Sequence, residues 1–489
     1  MDYYESLSES DQLLLNDFFS GFHQHIALTP KHEKQMRDDF ETAFLYYSRA
    51  GVDLGTATER LAVSKLGGFY ARPPVLWYPL DDAAKIYPLA MKKNQMAVFR
   101  LSAYLKEDVV PELLQISLTF TIKRFPSFAT TVKKGFFWHY IDTAKRRFTV
   151  EPESDIPCRP INVSASGSQS FRVLYYKSRI SVEYFHILTD GTGGMVFLKT
   201  LVAEYLRLLG VAVPCTDGVF DIDETPSSLE TSNDFPKAEP SEKSSGFMGK
   251  RAVQMTGRLS CVKPYQILHF ELDSTSLKEV ARRKGASVTA YILMLMFLAQ
   301  KYSTDDPEGN IQIQVPVNMR KFYESKTVRN FALYCSIKIP LSEITGMDAI
   351  LPEITRQLSE KASRQAMNEM MNATVGLVRT LRYVPLFIKR PVAGLVYGFL
   401  GDKIFSNTLS NLGVVAVPAE MGAFIEKFDF VLGTAVTNRA SCSMITFENA
   451  AVLSIAKYTA DPSFEEKLYS LLKADGLEPN VEGSEIYEN

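Results

Sequence analysis

The sequence predicts an α/β protein with more than one domain. Its 489 residues exceed the length of an ordinary single domain. From Trp77 onward, segments with the two-residue period of strands alternate with segments of helical periodicity. A stretch rich in Ser, Pro, Glu and Lys separates two such series. We therefore expect a helical N-terminal extension, a first α/β part, a linker or mobile loop, a second α/β part and an acidic tail, at residues 1–68, 69–216, 217–264, 265–475 and 476–489.

Composition narrows the class of protein. With 46% hydrophobic and 22% charged residues, the chain has a soluble, globular composition. The net charge of −2 predicts no general attraction to nucleic acid or to an anionic membrane. Five scattered cysteines without metal-type spacing predict reduced thiols and a cytoplasmic protein. The polar first residues are unlike a signal peptide, and the longest uncharged apolar stretch, Ala286 to Gln300, is too short to span a bilayer.

The N-terminal extension is predicted to be helical. Ser8 precedes a run containing Leu13, Leu14 and Phe18, which is the pattern of a capped amphipathic helix. A second helix is predicted over Gln35 to Tyr47. Three histidines in this region lack a metal-binding pattern, so we interpret them as surface residues.

The first α/β part begins with a strand at Val98 to Leu105 and a helix whose start is signalled by Glu107, Asp108 and Pro111. A strand follows at Phe136 to Ile141. Two further strands are predicted to form a hairpin around Lys177 and Ser178, and a long helix is expected from Met195 to Leu209.

The second α/β part repeats the alternation of strands and helices. Residues 375–400 are apolar with interspersed Lys and Arg, which is typical of helices packed on the body or, as the less favoured alternative, of a membrane-surface helix. The remaining elements are predicted as strands at Gln266–Leu272, Ile311–Val315, Ala332–Ile339, Phe430–Val436, Ser443–Phe447 and Ala451–Lys457, and helices at Ser274–Lys284, from Ser287 or Thr289 to Tyr302, Ile350–Met371 and Asp461–Leu472.

One stretch, Tyr184 to Gly194, combines a strand end, a histidine and a glycine-rich turn. His186 is the last residue on the apolar face of the preceding strand, where a scaffold can aim a side chain into a cleft. Asp190 follows, and its side chain can bond back to the turn or pair with an arginine. By spacing alone, a simple turn beside a core histidine is the favoured explanation of the stretch.

The motifs of the chain, taken in order, resemble the chloramphenicol acetyltransferase-like superfamily, which includes condensation domains and alcohol acyltransferases. His186, Asp190 and Gly191 match its HxxxDG motif, Pro316 to Arg320 match PVxxR, and Ser410 to Gly413 match SNLG. The resemblance covers roughly residues 75 to 475, with Arg329 in place of a usual glycine. It implies two α/β sandwich lobes arranged as a V, with a tunnel between them.

The resemblance also implies a chemistry. His186 would be the general base for direct attack of a hydroxyl on a thioester, and Asp190 would be structural and paired with Arg320. Gly191 would serve the tight turn, and Gly193 and Gly194 a close approach to substrate or tunnel wall. Thr408, Ser410 and Asn411 are the candidates for holding the oxyanion or the substrate.

The implied substrates are small molecules. The donor would be acyl-CoA or an acyl carrier protein, and the acceptor a hydrophobic alcohol, with no permanently bound cofactor and no metal. Phe185 stands where peptide-forming condensation domains carry a second histidine, and the plant-type DFGWG segment is absent, which favours the alcohol acyltransferase branch. The alternatives are an N-acyltransferase or condensation enzyme, and a non-catalytic module that binds a carrier protein or a lipid.

Overall fold

A computed structural model describes most of the chain. The described residues are 2–5, 7–71, 77–90, 96–144, 146–161, 169–241, 251–389, 391, 404–433 and 438–487. The strands are β1 (Trp77–Pro79), β2 (Val98–Leu105), β3 (Thr130–Lys134), β4 (His139–Thr143), β5 (Val150–Pro152), β6 (Phe171–Tyr176), β7 (Arg179–Phe185), β8 (Gln266–Asp273), β9 (Asn310–Asn318), β10 (Ala332–Pro340), β11 (Asn407–Val414), β12 (Ile425–Leu432), β13 (Ala440–Phe447), β14 (Ala450–Lys457) and β15 (Asn480–Gly483).

The α-helices among the described residues are α1 (Asp2–Glu5), α2 (Glu9–Ser20), α3 (Phe22–His25), α4 (Pro30–Arg49), α5 (Leu54–Arg60), α6 (Tyr87–Ala90), α7 (Pro111–Thr121), α8 (Gly191–Leu209), α9 (Ser274–Arg283), α10 (Val288–Tyr302), α11 (Met347–Lys361), α12 (Arg364–Thr380), α13 (Ala419–Gly422) and α14 (Ser463–Ala474). Of these, helices α1 to α5 precede β1 and the later helices lie between strands. Short 3-10 helices lie at Val63–Leu66, Ile122–Arg124, Ser228–Thr231, Phe235–Lys237, Met319–Lys321 and Leu341–Glu343.

The N-terminal lobe is built on a five-stranded sheet with the order β12, β2, β7, β6, β5. The predicted hairpin is present: β6 and β7 pair in antiparallel register, and Lys177 in the turn has a φ of 49°. Helices α7 and α8 pack against each other, and α8 contacts β2 and β7. Because α8 follows β7 closely, the residues between them lie at the C-terminal end of the central strand of this sheet.

The N-terminal extension is part of the core of this lobe. Ser8 caps α2, as predicted, by accepting a hydrogen bond from the Asp11 amide at 3.2 Å. The Phe40 ring on α4 meets the Phe120 ring on α7 with centroids 6.1 Å apart. The Tyr47 hydroxyl donates a 2.6 Å hydrogen bond to the carbonyl at the end of α8. The extension therefore covers the outer face of the helical layer.

The C-terminal lobe holds a seven-stranded sheet with the order β10, β9, β11, β13, β14, β8, β15. Strand β9 alternates as its sequence predicts: Ile311 and Ile313 are fully buried in the lobe's core, whereas Gln312 and Gln314 are partly exposed on the other face. The apolar helix α10 lies buried between α11 and α14. Ser287 is its N-cap, accepting from the Ala290 amide. A third, three-stranded sheet has the order β1, β4, β3.

Two strands do not lie in the parts of the molecule to which the predicted division of the chain assigns them. Strand β12 comes from the second half of the sequence but pairs with β2 in the sheet of the first lobe, from Ile425 opposite Leu105 to Leu432 opposite Phe99. Strand β15 lies in the stretch predicted as an acidic tail and pairs with β8. Periodicity reveals a strand but not its partner, so neither pairing could be read from the pattern.

The described parts of the 217–264 segment are packed against both lobes. Arg124 of the N-terminal lobe donates to the Asp221 carbonyl and forms ion pairs with Glu224 and Glu230. Further along, Phe235 is fully buried and meets the Phe331 ring edge-on with centroids 5.4 Å apart. The first part of the segment is thus anchored to both lobes, where its composition leaves a linker and a mobile loop as alternatives.

This packing gives a stability prediction. Phe235→Ala removes a buried ring, so we expect the free energy of unfolding to fall by about 3–5 kcal/mol, measured by denaturant titration. Leu229→Ala is the matched control, since Leu229 is 54% exposed on the same segment and should change stability by less than about 0.5 kcal/mol. Equal, negligible effects of both substitutions would show that the segment is a mobile linker.

Candidate active site

His186 stands immediately after β7, between two aromatic rings. Its backbone amide donates a 2.7 Å hydrogen bond to the Ala97 carbonyl, which fixes the main chain at the end of β7. The imidazole stacks on Tyr87, with centroids 4.9 Å apart and planes inclined by 24°. Phe99 meets the other side edge-on at 5.2 Å. The ring is therefore held in one orientation by apolar contacts.

The environment of His186 keeps its imidazole neutral. The side chain is half-buried, and its Nδ1 is buried without a hydrogen-bond partner among the described residues. Burial lowers the pKa of His186 below the ordinary 6.5. The interaction of the ring with its own backbone and, less strongly, the negative charge of Asp190 oppose that shift only in part. With Nδ1 enclosed, Nε2 is the nitrogen on which a substrate proton can be received.

Asp190 is fully engaged in holding structure. Its Oδ1 accepts from the amides of Thr192 at 3.1 Å and Gly193 at 3.0 Å, so Asp190 is the N-cap of α8. Its Oδ2 accepts from Arg320 Nη1 at 2.7 Å and from the Phe331 amide at 2.7 Å. Arg320, selected from the sequence as the partner of Asp190, is in place, and the carboxylate has no free oxygen for proton transfer.

The Asp190–Arg320 pair lies in a seam between the two lobes. Arg320 also donates to the carbonyls of Thr327 and Arg329, which shapes the loop after β9. Beside this pair, the Thr189 hydroxyl donates to the Val328 carbonyl at 2.6 Å. The strand–helix junction of the first lobe is thereby fastened to the second.

The glycines of this junction are required because neighbouring atoms leave no room for a Cβ, and none of them has a positive φ. Gly191, expected to serve a tight turn, is instead the first residue of α8, and a Cβ there would strike the Leu412 side chain. The expectation for Gly193 and Gly194 is a backbone that passes close to substrate or to the tunnel wall. A Cβ on Gly193 would collide with the Val328 carbonyl, and one on Gly194 would press on the Tyr184 ring. The helix begins four residues before the predicted Met195 because Asp190 caps it.

The SNLG segment lies in β11, directly against this junction. Thr408 donates to Gln314 Oε1 at 3.3 Å, and Ser410, two residues on, is 7% exposed with no partner for its hydroxyl among the described residues. Asn411 is committed elsewhere: Nδ2 donates to Thr289 at the start of α10, and Oδ1 accepts from the Gly413 amide. Because the Leu412 side chain lies against Gly191, β11 contacts the segment that joins His186 to α8. Ser410 and Thr408 remain candidates for the site, whereas the Asn411 amide is structural.

Arg329, the departure from the glycine of the resemblance, adds contacts that sequence reasoning missed. Its guanidinium is 2% exposed and donates to the Pro79 carbonyl at 2.7 Å. The buried Asp81 carboxylate lies 3.8 Å away, and burial raises the pKa of Asp81 to about 7. Arg329 thus ties the segment that carries Tyr87 to the loop beside Asp190. The only signal in the sequence was that arginine replaces glycine.

In the part of the chain that the structure describes, no group of three His, Cys, Asp or Glu side chains could hold a metal ion. The phosphates of a thioester donor would need Lys or Arg near the site, and the basic clusters 145–147, 282–284 and 389–390 are more readily explained as solvated residues. Within them, Arg147 pairs with Asp39 and Lys284 with Asp475. Lys389 donates to the Phe137 carbonyl. Lys145 and Arg390 fall outside the described residues.

The locked carboxylate predicts a stability effect. Asp190→Asn removes the charge that faces the mostly buried Arg320, so we expect the free energy of unfolding to drop by about 3–5 kcal/mol, with loss of activity. Asp223→Asn is the matched control because Asp223 pairs with Lys123 at an exposed site, where an ion pair contributes about 0–1 kcal/mol. Full inactivation with an unchanged melting temperature would instead indicate a direct chemical role for Asp190.

Comparison with solved structures identifies the fold of this chain. No model of a protein family matches the sequence, and no curated protein matches it. Among solved structures, the trichothecene 15-O-acetyltransferase TRI3 of Fusarium sporotrichioides superposes with a TM-score of 0.54 at 10% identity, over 82% of this chain and 96% of that one. TRI101 of F. sporotrichioides, complexed with coenzyme A and T-2, gives 0.55 at 12% identity, over 83% and 99%.

A third similar structure is described as an epimerization domain and not as an acetyltransferase. The epimerization domain from the third module of tyrocidine synthetase B superposes with a TM-score of 0.51 at 11% identity, over 82% of this chain and 97% of that one. Each of the three superpositions covers 82% or 83% of this chain, which is more than either lobe alone provides. The chain therefore has the two-lobed α/β fold of the chloramphenicol acetyltransferase-like condensation superfamily.

Proposed function

We propose that the protein is an acyltransferase that moves an acyl group from a thioester to the hydroxyl of a hydrophobic acceptor. The observation that carries the proposal is the contrast between two neighbouring side chains. The His186 ring is oriented by two aromatic contacts, has a lowered pKa, and has no partner for Nδ1 among the described residues, whereas Asp190 is saturated with hydrogen bonds. Among the described residues of the junction, His186 is therefore the base available for one proton transfer.

The chemistry requires one proton transfer and no enzyme-bound intermediate. Nε2 of His186 takes the proton of the acceptor hydroxyl while its oxygen attacks the thioester carbonyl. The tetrahedral intermediate collapses to the ester, the C–S bond breaks, and the imidazolium returns the proton to the departing thiolate. A neutral imidazole is the required starting form, and the lowered pKa of His186 supplies it at neutral pH.

Charge on the intermediate needs hydrogen-bond donors. Ser410 is our candidate because the residue is only 7% exposed and its hydroxyl has no partner among the described residues. It also lies in β11, whose Leu412 side chain lies against Gly191. Thr408 lies two residues before it, on the same face of β11. Removing one such donor typically costs about 10²–10³-fold in turnover.

Coenzyme A is the donor that the similar structures favour. TRI101 was solved with coenzyme A, and TRI3 is described as an O-acetyltransferase. A carrier protein that bears the same thioester is the alternative donor. Because an epimerization domain has the same fold, the fold alone does not select acyl transfer. Release of free thiol from acetyl-CoA, with and without a panel of hydrophobic alcohols and amines, separates O-acylation from N-acylation and from a non-catalytic module.

The base is tested by substitution. We expect His186→Ala to lower turnover about 10²–10⁴-fold, since a positioned general base contributes that factor. His269→Ala is the control, because His269 bonds to Ser454 Oγ at 2.9 Å in a network apart from the junction. Ester formation is measured by chromatography, and circular dichroism confirms that both variants fold. Wild-type turnover by the His186 variant would refute the mechanism.

The lowered pKa of His186 also predicts the pH profile. A general base works only when deprotonated, so the acidic limb of kcat/KM should have its midpoint below 6.5. Because the Asp190 charge raises the pKa of His186, Asp190→Asn should move that midpoint further down in whatever activity remains. An acidic limb centred above 6.5, or one that moves upward in the Asp190 variant, contradicts the assignment.

A further inference from the structure

The turn between β3 and β4 presents two phenylalanines to solvent. The strands are joined by residues 135–138, where the Gly135 amide donates to the Trp138 carbonyl at 3.0 Å. Phe136 is 67% exposed and Phe137 is 37% exposed, and their rings meet edge-on at 4.9 Å. The predicted strand over 136–141 starts instead at His139, because the turn takes up these residues. Two adjacent exposed phenylalanines are unfavourable in water unless something covers them.

A second segment adds apolar side chains beside this turn. The Leu386 amide donates to the Phe136 carbonyl at 2.8 Å, and Tyr383 contacts the Phe137 ring with centroids 6.3 Å apart. Tyr383, Phe387 and Ile388 are 74%, 67% and 45% exposed. We call the set formed by Phe136, Phe137, Tyr383, Phe387 and Ile388 the aromatic patch.

The aromatic patch is supported from beneath. Leu386 is 2% exposed, so the helical stretch 386–389 is anchored by a buried side chain. Lys389 is also buried: its Nζ lies 3.2 Å from the Trp138 ring centroid and donates to the Phe137 carbonyl at 2.7 Å. The exposed rings are therefore held on an ordered base formed by two separate parts of the chain.

Positive charge surrounds the patch. Lys133, Lys134, Arg379 and Arg382 flank it on the two segments, and none of them forms an ion pair with a described residue. Residues 130–141 and 370–391 contain no Asp or Glu, although the whole chain carries a net charge of −2. The local charge thus differs in sign from that of the chain, and a potential of this kind attracts an anionic surface.

We propose that the aromatic patch docks on the surface of an anionic lipid bilayer. Tyrosine and phenylalanine rings insert at the boundary between headgroups and acyl chains, and Lys and Arg beside them contact acidic headgroups. A second copy of the chain fits less well, because a two-fold contact through this patch would bring Arg379 and Arg382 against their own equivalents. The docking is peripheral, since no helix among the described residues has the length and apolar character needed to cross the membrane.

Vesicle flotation of the full chain tests the proposal. The probes are vesicles of phosphatidylcholine alone and of phosphatidylcholine with about 30% phosphatidylserine, at about 0.1 M and about 1 M salt. We expect binding to the mixed vesicles at low salt and at least about tenfold weaker binding at high salt or without phosphatidylserine. Phe136→Ser with Phe387→Ser, and separately Arg379→Glu with Arg382→Glu, should each weaken binding about tenfold or more.

Matched controls place the same chemical changes elsewhere on the surface. Leu13→Ser with Tyr302→Ser replaces apolar residues that are 70% and 65% exposed, and Arg282→Glu with Arg283→Glu reverses two exposed charges. Both should bind like the wild type. The proposal is overturned by equal binding to both vesicle types, by no binding, or by control variants that lose as much as the patch variants. Concentration-dependent dimers that the patch substitutions abolish, without vesicle binding, would assign the patch to a second copy.

Discussion

The Asp190 carboxylate accepts four hydrogen bonds, two from the first turn of its own helix and two from the other lobe. Through Arg320 it also fixes the loop that follows β9, whose carbonyls Arg320 binds. The position of His186 therefore depends on contacts made by both halves of the chain. A site assembled in this way is only as rigid as the seam between the lobes, and the seam is centred on one buried ion pair.

Because Asp190 is bound within this seam, its carboxylate does not orient the His186 ring. In many sites a carboxylate orients and charges the neighbouring imidazole, but here Asp190 is turned toward Arg320 and its helix. Aromatic contacts with Tyr87 and Phe99 orient the His186 ring instead. Apolar surroundings favour the neutral imidazole, so the base is prepared by desolvation rather than by a charged partner.

Local patterns predicted local structure well. The alternation of β9, the hairpin of β6 and β7 and the cap of α2 follow from short-range periodicity and side-chain chemistry, and the motifs located His186, Asp190 and Arg320. What was missed is non-local. Tyr87 stacks on a residue about 100 positions away, Arg329 reaches Pro79, and Asn411 turns toward α10. Such contacts depend on how distant segments meet, which periodicity does not encode.

The pairing of β12 with β2 has a consequence for biosynthesis. The N-terminal sheet receives its last strand about 320 residues after β2 has been made. At about 5–20 residues per second, the ribosome needs tens of seconds to deliver it. Throughout that interval β2 presents an open edge of unpaired amides and carbonyls, the feature by which nascent chains associate wrongly. We expect the nascent chain to be a client of ribosome-associated chaperones until residue 432 has emerged, and a fragment that ends before β12 to aggregate.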